Sequence, residues 1–380
     1  MYKLAFSPIK IGNLKLPNRI VMVPVITNFC DERGRLTHRE IAFIRKRVEG
    51  GPWLLYLGSC YLEQRGKLLR FQLGLDTDSS IKPLKDLINE IHGRDVKVGI
   101  QLMHGGRCAR RKITGLMPVA PSAIRIPFPG FETPLELSVK QIEELISTYT
   151  KAAIRAQMAG ADVIELHCTH CLLIHQFLSP LTNKRADSYG GGIDSRLKFL
   201  LEIITNIKKN INEDSVLSCR ISGDDMIVNG INPKDYRLIA CKLEKAGVDL
   251  ISISVGTFEN NNLAVGSRQK RPGYLMGFAK NIKDALKVPV IGVGRIISPY
   301  WVEKSLKNKL ADLVGIGRQL IADTNFPRKM REGDNRFNRC IACQECYKKV
   351  THQLPINCLV NPQVGNEYLV EKERTLNQLS

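Results

Sequence analysis

The stretch ELHCTHCLLIHQFLSP, residues 165–180, sets His167, His170 and His175 around Cys168 and Cys171. Imidazole and thiolate are the usual ligands of zinc, so a metal site is the first chemistry this cluster suggests. Its spacing argues otherwise, because His167, Cys168, His170 and Cys171 fall within five residues. Four alternating ligands in so short a run cannot all reach one tetrahedral centre without contorting the backbone. The two histidines are therefore read as serving chemistry other than metal binding, and the two cysteines as residues lining the same site, with a redox thiol pair as the alternative. A second group, CIACQECYKKVTHQLPINCLVNP, places Cys340, Cys343, Cys346 and Cys358 at a spacing that suits four thiolates around one centre. Either zinc or a [4Fe-4S] cluster satisfies that pattern. His352, between the third and fourth cysteines, reads as a surface residue.

These groups need elements to position them. Eight apolar runs recur along the chain: RIVMVP, WLLYLGS, VKVGIQL, DVIELH, VLSCRIS, LISISVG, VPVIGVG and DLVGIG. Continuous apolar runs are the mark of parallel strands buried on both faces. Segments of helical period lie between them, SVKQIEELISTYTKAAIRAQMAGA being the longest. Eight such units predict a (β/α)8 TIM barrel over residues 1–334. A doubly wound sheet is the competitor, but no Gly-x-Gly-x-x-Gly turn follows the first strand. From about Asn335 cysteines cluster and the periodicity fades, so 335–380 is expected to form a cysteine-rich extension packed on the barrel.

In such barrels the site lies at the C-terminal ends of the strands. That rule gathers Pro24, Gly58, Gln101, His167, Arg220, Gly294, Gly317 and Arg318 around one mouth. Gln101 can pair with the edge of a heterocycle, Arg220 can neutralise an anionic ring, and the late glycines let backbone N–H groups approach a phosphate. A phosphorylated planar cofactor is implied.

Composition narrows the classes further. Lys and Arg number 56 against 37 Asp and Glu, a net charge of +19. The field attracts anions and acidic partners, but the basic residues are dispersed and no aromatic-rich basic recognition motif accompanies them, so nucleic acid is not expected. No apolar run reaches 18 residues and the first residues, MYKLAFSPIK, do not read as a signal peptide. A cytoplasmic protein without membrane attachment is expected, and its 11 cysteines read as free thiols and metal ligands.

The motifs FSPIKIGNLKLPNRIVMVP, QLMHGGR, PVAPSAI, TPLELS, FLSPLTNKRADSYGGGIDSR and GIGRQLIAD resemble the successive signatures of the old yellow enzyme family. The likeness is greatest to its iron-sulfur branch, which contains 2,4-dienoyl-CoA reductase and trimethylamine dehydrogenase. It runs from about residue 5 to residue 366. The resemblance implies an FMN cofactor, with Gln101 and Arg220 on the pyrimidine side of the flavin. Pro24, Val25, Ile26 and Gly58 would line the ring, and Gly294, Arg295, Gly317 and Arg318 would hold the phosphate. It implies that His167 and His170 bind the substrate oxygen, and it selects the [4Fe-4S] cluster for the four C-terminal cysteines. The expected reaction is reduction of a C=C bond conjugated to a carbonyl. An amine dehydrogenase or demethylase, or an electron-transfer subunit with a degenerate pocket, are the alternatives.

The sequence also departs from that family. Leu172 stands where a proton-donating tyrosine is usual, Phe258 stands near a position where the dienoyl reductases carry a histidine, and only two residues separate Cys343 from Cys346 where three are usual. Ile26 replaces the polar residue or cysteine that contacts or tethers flavin, so the flavin is expected to be non-covalent. Cluster-bearing relatives usually continue into a domain for FAD and a nicotinamide nucleotide, whereas this sequence stops at EKERTLNQLS. The expected electron source is a separate protein, a ferredoxin, flavodoxin or flavoprotein reductase, or else NAD(P)H directly. A homo-oligomer acting on a small-molecule substrate is expected.

Overall fold

In a computed structural model the chain is described over residues 2–260 and 265–372, so the last residues of the expected extension, 373–380, lie outside the described part. Each of the eight apolar runs forms a strand: β1 Ile20–Met22, β2 Leu54–Tyr61, β3 Lys97–Met103, β4 Val163–Cys168, β5 Val216–Ser222, β6 Leu250–Ser254, β7 Val290–Gly292 and β8 Leu313–Ile316. They close into one parallel barrel in the order β6-β7-β8-β1-β2-β3-β4-β5, with β5 hydrogen-bonded back to β6. This is the (β/α)8 fold that the eight runs predict.

Register decides which side chains meet inside. Gln101 on β3 lies opposite Glu165 on β4, and Glu165 lies opposite Ser218 on β5. One step toward the mouth, His167 lies opposite Arg220, which in turn lies opposite Ser252 on β6. Successive strand residues face opposite sides, so Glu165 and His167 share the interior face while Cys168 points outward. Cys168 packs accordingly with Leu166, Leu173 and Phe177 in the main core, between barrel and helices.

On β2 the alternation is interrupted. The register against β3 shifts between Leu57 and Cys60, where Gly58 takes a φ of +66°. A bulge there carries one extra residue, and a left-handed backbone favours glycine. Its result is that Ser59 as well as Tyr56 reaches the interior.

The far end of the barrel is stopped by the hairpin Ile9–Ile11/Leu14–Leu16, whose Ile11 and Leu16 pack on the opening residues of several strands, including Leu54, Val163, Val216, Leu250 and Leu313. Outside, the helix Val139–Met158 starts at a capping box in which Ser138 and Gln141 satisfy each other's backbone N–H groups. Pro233–Lys245 begins with Pro and is capped by Asn232. No helix among the described residues is long and apolar enough to cross a membrane.

The residues after Asn335 lie across the loops that leave β8 and β1. Gln319 donates to the Asn338 carbonyl at 2.7 Å and accepts from the Cys340 amide at 2.9 Å. The Ile356 amide donates to the Thr27 carbonyl at 2.9 Å, and Asn28 donates to the Leu354 carbonyl at 3.1 Å. Farther on, fully buried Arg47 forms an ion pair with Glu367 and stacks over Phe43 at 3.5 Å.

Candidate active site

A cavity of about 470 Å³ opens at the C-terminal end of the strands. Of the residues expected there, Pro24, Val25, Ile26, Gln101, His167, His170, Arg220, Gly294, Arg295, Gly317 and Arg318 all line it. Gly58 does not; it shapes the bulge, and its neighbour Ser59 lines the cavity.

The floor is a polar chain built by register. Ser59 Oγ donates to Gln101 Oε1, Gln101 Nε2 donates to Glu165 Oε1 at 2.7 Å, and Ser218 Oγ donates to Glu165 Oε2 at 3.2 Å. Gln101 is thereby fixed in one orientation. Burial pushes the Glu165 carboxyl up and the Arg220 guanidinium down, while each opposes the shift of the other. The pair lets a cation sit in the barrel interior, and Arg220 Nε is buried with no partner within the protein. A buried unpaired N–H is costly, so this one is prepared for an acceptor from outside the chain.

The same holds farther round the rim, where Arg295 Nε and Arg318 Nη1 are buried without protein partners. Arg295 has a φ of +56° and is held by the carbonyls of Arg268, at 3.2 Å, and Lys270. At Gly294, with φ +124°, a Cβ would come within 2.9 Å of the Leu275 amide nitrogen. Only glycine lets the backbone pass so close. Two guanidinium groups beside these glycines, with that of Arg220 and the carboxamide of Gln101 in the same cavity, fit the donor set that a flavin mononucleotide requires for its phosphate and its pyrimidine edge. The residues present therefore fit FMN.

At the other end of the cavity the two histidine rings stand 5.1 Å apart at 71°. His170 has a left-handed backbone, φ +57°, and its Nε2 lies 2.7 Å from Ser254 Oγ. His167 Nδ1 is buried without a partner. Burial lowers both imidazoles well below the usual histidine range; His170 and Arg220 deepen the shift for His167, and Arg220 and His175 for His170. Both rings are neutral at ordinary pH, and each can offer an N–H to an oxygen. His175 is not part of the pair. It is buried, takes the Cys171 amide on Nδ1 at 3.1 Å, and places Nε2 2.8 Å from Asp225.

The reading of Cys168 and Cys171 as lining residues is corrected by the structure. Cys168 faces the outer core for the reason of parity given above, and Cys171 lies behind the cavity wall. The thiol that does line this end is Cys108, with Met103, Arg110, Phe131, Leu172 and Phe258. Phe131 meets Phe258 edge to face at 5.0 Å. In the sequence, Cys108 carries no spacing signal that ties it to the histidines.

The four C-terminal cysteines all line one small separate cavity, together with Ile321 and Asn357. Cys340, Cys346 and Arg318 line the large cavity as well. Among the described residues no three His, Cys, Asp or Glu side chains converge closely enough to hold a single metal ion. Each thiolate of a [4Fe-4S] cluster binds a different iron, so the sulfurs stand farther apart than around one ion. The four cysteines around a shared small cavity fit that wider donor set.

Comparison with known proteins agrees with this geometry. Residues 4–336 match the NADH:flavin oxidoreductase / NADH oxidase family. An NADH oxidase of Thermoanaerobacter brockii is 39% identical over 367 residues, covering 95% of this chain and 56% of that protein. The structure of a 2-naphthoyl-CoA reductase in complex with 2-naphthoyl-CoA superposes with a TM-score of 0.93 at 33% identity, covering 97% of this chain and 58% of that one. Histamine dehydrogenase from Rhizobium sp. 4-9 superposes at 0.86 with 27% identity, covering 96% and 53%. The chain thus spans a little over half the length of these relatives. It belongs to the NADH:flavin oxidoreductase / NADH oxidase family and is built on a (β/α)8 barrel.

Proposed function

We propose that this protein reduces an activated C=C bond conjugated to a carbonyl, an enone, enoate or enoyl thioester, with FMN in the barrel and a [4Fe-4S] cluster on Cys340, Cys343, Cys346 and Cys358. The observation that carries the reading is the pair of neutral imidazoles, His167 and His170, facing an apolar wall of Leu172, Phe131 and Phe258. FMN, when bound, supplies the two-electron reductant. The chain itself does the rest. The two imidazole N–H groups hold the carbonyl oxygen and stabilise the negative charge that develops on it, in a cavity where water is largely displaced. The phenylalanines hold the unsaturated carbon skeleton flat against the ring site.

An amine substrate is disfavoured by the same wall. Among the described residues lining the cavity there is no Asp or Glu, while Arg110, Arg220, Arg295 and Arg318 all face it. A cationic amine would find no carboxylate partner there.

Electrons would reach the flavin through the cluster, because Arg318, Cys340 and Cys346 form part of the wall between the two cavities. A cluster passes single electrons, so a separate acidic carrier protein is the donor that this arrangement suits best, with NAD(P)H the alternative. The test is anaerobic: flavin, iron and acid-labile sulfide are counted, the protein is reduced, and cyclohex-2-enone, a short enoyl thioester and trimethylamine are compared as reactants. Reoxidation by the two alkenes, with about four irons per chain, supports the reading. Reduction of the oxidised protein by the amine, or a flavin that no alkene reoxidises, defeats it.

A further inference from the structure

Reducing a C=C bond takes a proton at carbon as well as two electrons, and the cavity must supply it. The groups nearest the histidines are mostly unable to do so: Leu172, Phe131, Phe258 and Met103 carry no acidic proton. Ser59 Oγ, bonded to Gln101, and Ser254 Oγ, bonded to His170, are hydroxyls and far weaker acids than a thiol, as is Thr351, and the Arg110 guanidinium keeps its protons. Tyr274 lies toward Arg295 and Arg318, Tyr347 stands on the helix Glu345–Thr351 of the cysteine extension, and Tyr61 donates its hydroxyl to the Arg33 carbonyl at 2.9 Å, away from the cavity. That leaves the Cys108 thiol. It lines the cavity and packs in one cluster with Cys171, Leu172, Met103 and Phe258.

Its surroundings are built rather than incidental. The Cys108 thiol donates to the Cys171 carbonyl oxygen at 3.1 Å, and its sulfur neighbours the Cys171 side chain in the same cluster. On the far side, Arg107 aims Nε and Nη2 at the Cys171 sulfur from 3.3 and 3.0 Å and is itself held by Glu259 at 2.5 Å. The Cys171 amide is anchored on His175 Nδ1, and φ of +62° at Cys171 turns its sulfur toward Arg107. The hydrogen bond from Cys108 lowers the Cys171 thiol to about 5 against the opposing effect of burial, helped by His175 and Arg107. Burial, and the neighbouring Cys171, push the Cys108 thiol well above its ordinary value.

We propose that the Cys108 thiol delivers the proton to the substrate carbon, and that Arg107 and Cys171 position it. This rests on the alkene-reductase reading above. The Cys108 S–H bond breaks and a C–H bond forms at the α-carbon of the enolate whose oxygen lies between His167 and His170. The S–H electron pair stays on sulfur, and water reaching the open cavity returns the proton. The two electrons that formed the enolate come from reduced flavin. Arg107 and Cys171 touch no substrate and act only through Cys108.

The test uses Cys108→Ala, Cys108→Ser and Cys108→Ala with Leu172→Tyr, each checked first for flavin content and for flavin reoxidation by ferricyanide, which needs no proton at carbon. Single-turnover reoxidation by cyclohex-2-enone should slow about 100-fold or more in both single variants, the usual scale of general acid catalysis. The phenolic hydroxyl that Leu172→Tyr introduces should restore at least a tenth of the lost rate, which a packing defect would not allow. Independently of turnover, the infrared S–H stretch that disappears in Cys108→Ala should shift when cyclohexanone saturates the oxidised wild-type protein. Rates within twofold of wild type in Cys108→Ala, or an S–H stretch indifferent to cyclohexanone, overturn the proposal and leave the alkene-reductase reading standing. A wild-type protein that no alkene reoxidises overturns both.

Discussion

Arg318 and Cys346 stand together in the wall between the barrel cavity and the small cavity of the four cysteines, and both face each. The guanidinium counters the effect of burial on the Cys346 thiol, which is pushed up to about 11 in the absence of a metal. A cluster there would have two of its cysteine ligands, Cys340 and Cys346, and one cation on the path to the flavin site.

Cys343 lines only the small cavity, so it separates the two centres experimentally. Cys343→Ser should remove iron and acid-labile sulfide and leave FMN at about one per chain. Zinc found in place of iron and sulfide in the unmutated protein would refute the cluster; loss of flavin together with iron would show that the segment is required for the barrel rim.

His170→Ala should cut alkene turnover by about 100-fold while flavin content is unchanged, since one of two donors to the developing oxyanion is lost. Because burial lowers both imidazoles, they are neutral already in mild acid. The wild-type rate should therefore not decline between pH 8 and pH 6 through protonation of the pair, as it would for two ordinary histidines. A decline with a midpoint near 6.5 would contradict that electrostatic picture.

Arg220→Met should weaken FMN binding at least tenfold and also destabilise the apoprotein by about 3–5 kcal/mol, because Glu165 is left buried without its counter-charge. Adding Glu165→Gln should recover much of the stability and none of the flavin affinity. Chemical denaturation and flavin titration of the two variants separate the contributions; equal recovery of both would mean that Arg220 serves the fold alone.

Glu367→Gln leaves Arg47 charged and buried, 320 residues away in sequence, and should likewise cost about 3–5 kcal/mol in urea denaturation. The exposed pair Lys82–Asp86 serves as the control, and Asp86→Asn there should change stability by less than about 1 kcal/mol.

The net charge of +19 gives the last expectation. Reduction by an acidic ferredoxin or flavodoxin should outpace reduction by NADH or NADPH and should slow as salt rises from 0.05 to about 0.5 M, where screening shortens the reach of the field. Faster, salt-insensitive reduction by a nicotinamide nucleotide would point to direct transfer instead.

The sequence by itself determined the barrel and most of the cavity lining. Eight buried parallel strands each need an unbroken apolar run, so their number and order were legible, and the rule that barrel sites lie at strand ends gathered His167, Arg220, Gln101 and the late glycines. Strand parity would also have placed Cys168 outward, since it alternates with His167. Tertiary structure decided what no local pattern encodes. The bulge at Gly58 brings Ser59 rather than Gly58 to the cavity. Register sets Glu165 beside Gln101 and one step below Arg220, turning an unremarked strand residue into the counter-charge of the site. Cys108 reaches the cavity that the histidines line from a short 3-10 turn after β3, far before His170 in sequence, and meets Cys171 because β3 and β4 are neighbours in the closed sheet. Periodicity reports which face a residue takes within its own element; which distant residues share a cavity depends on sheet closure and register, which are properties of the whole barrel.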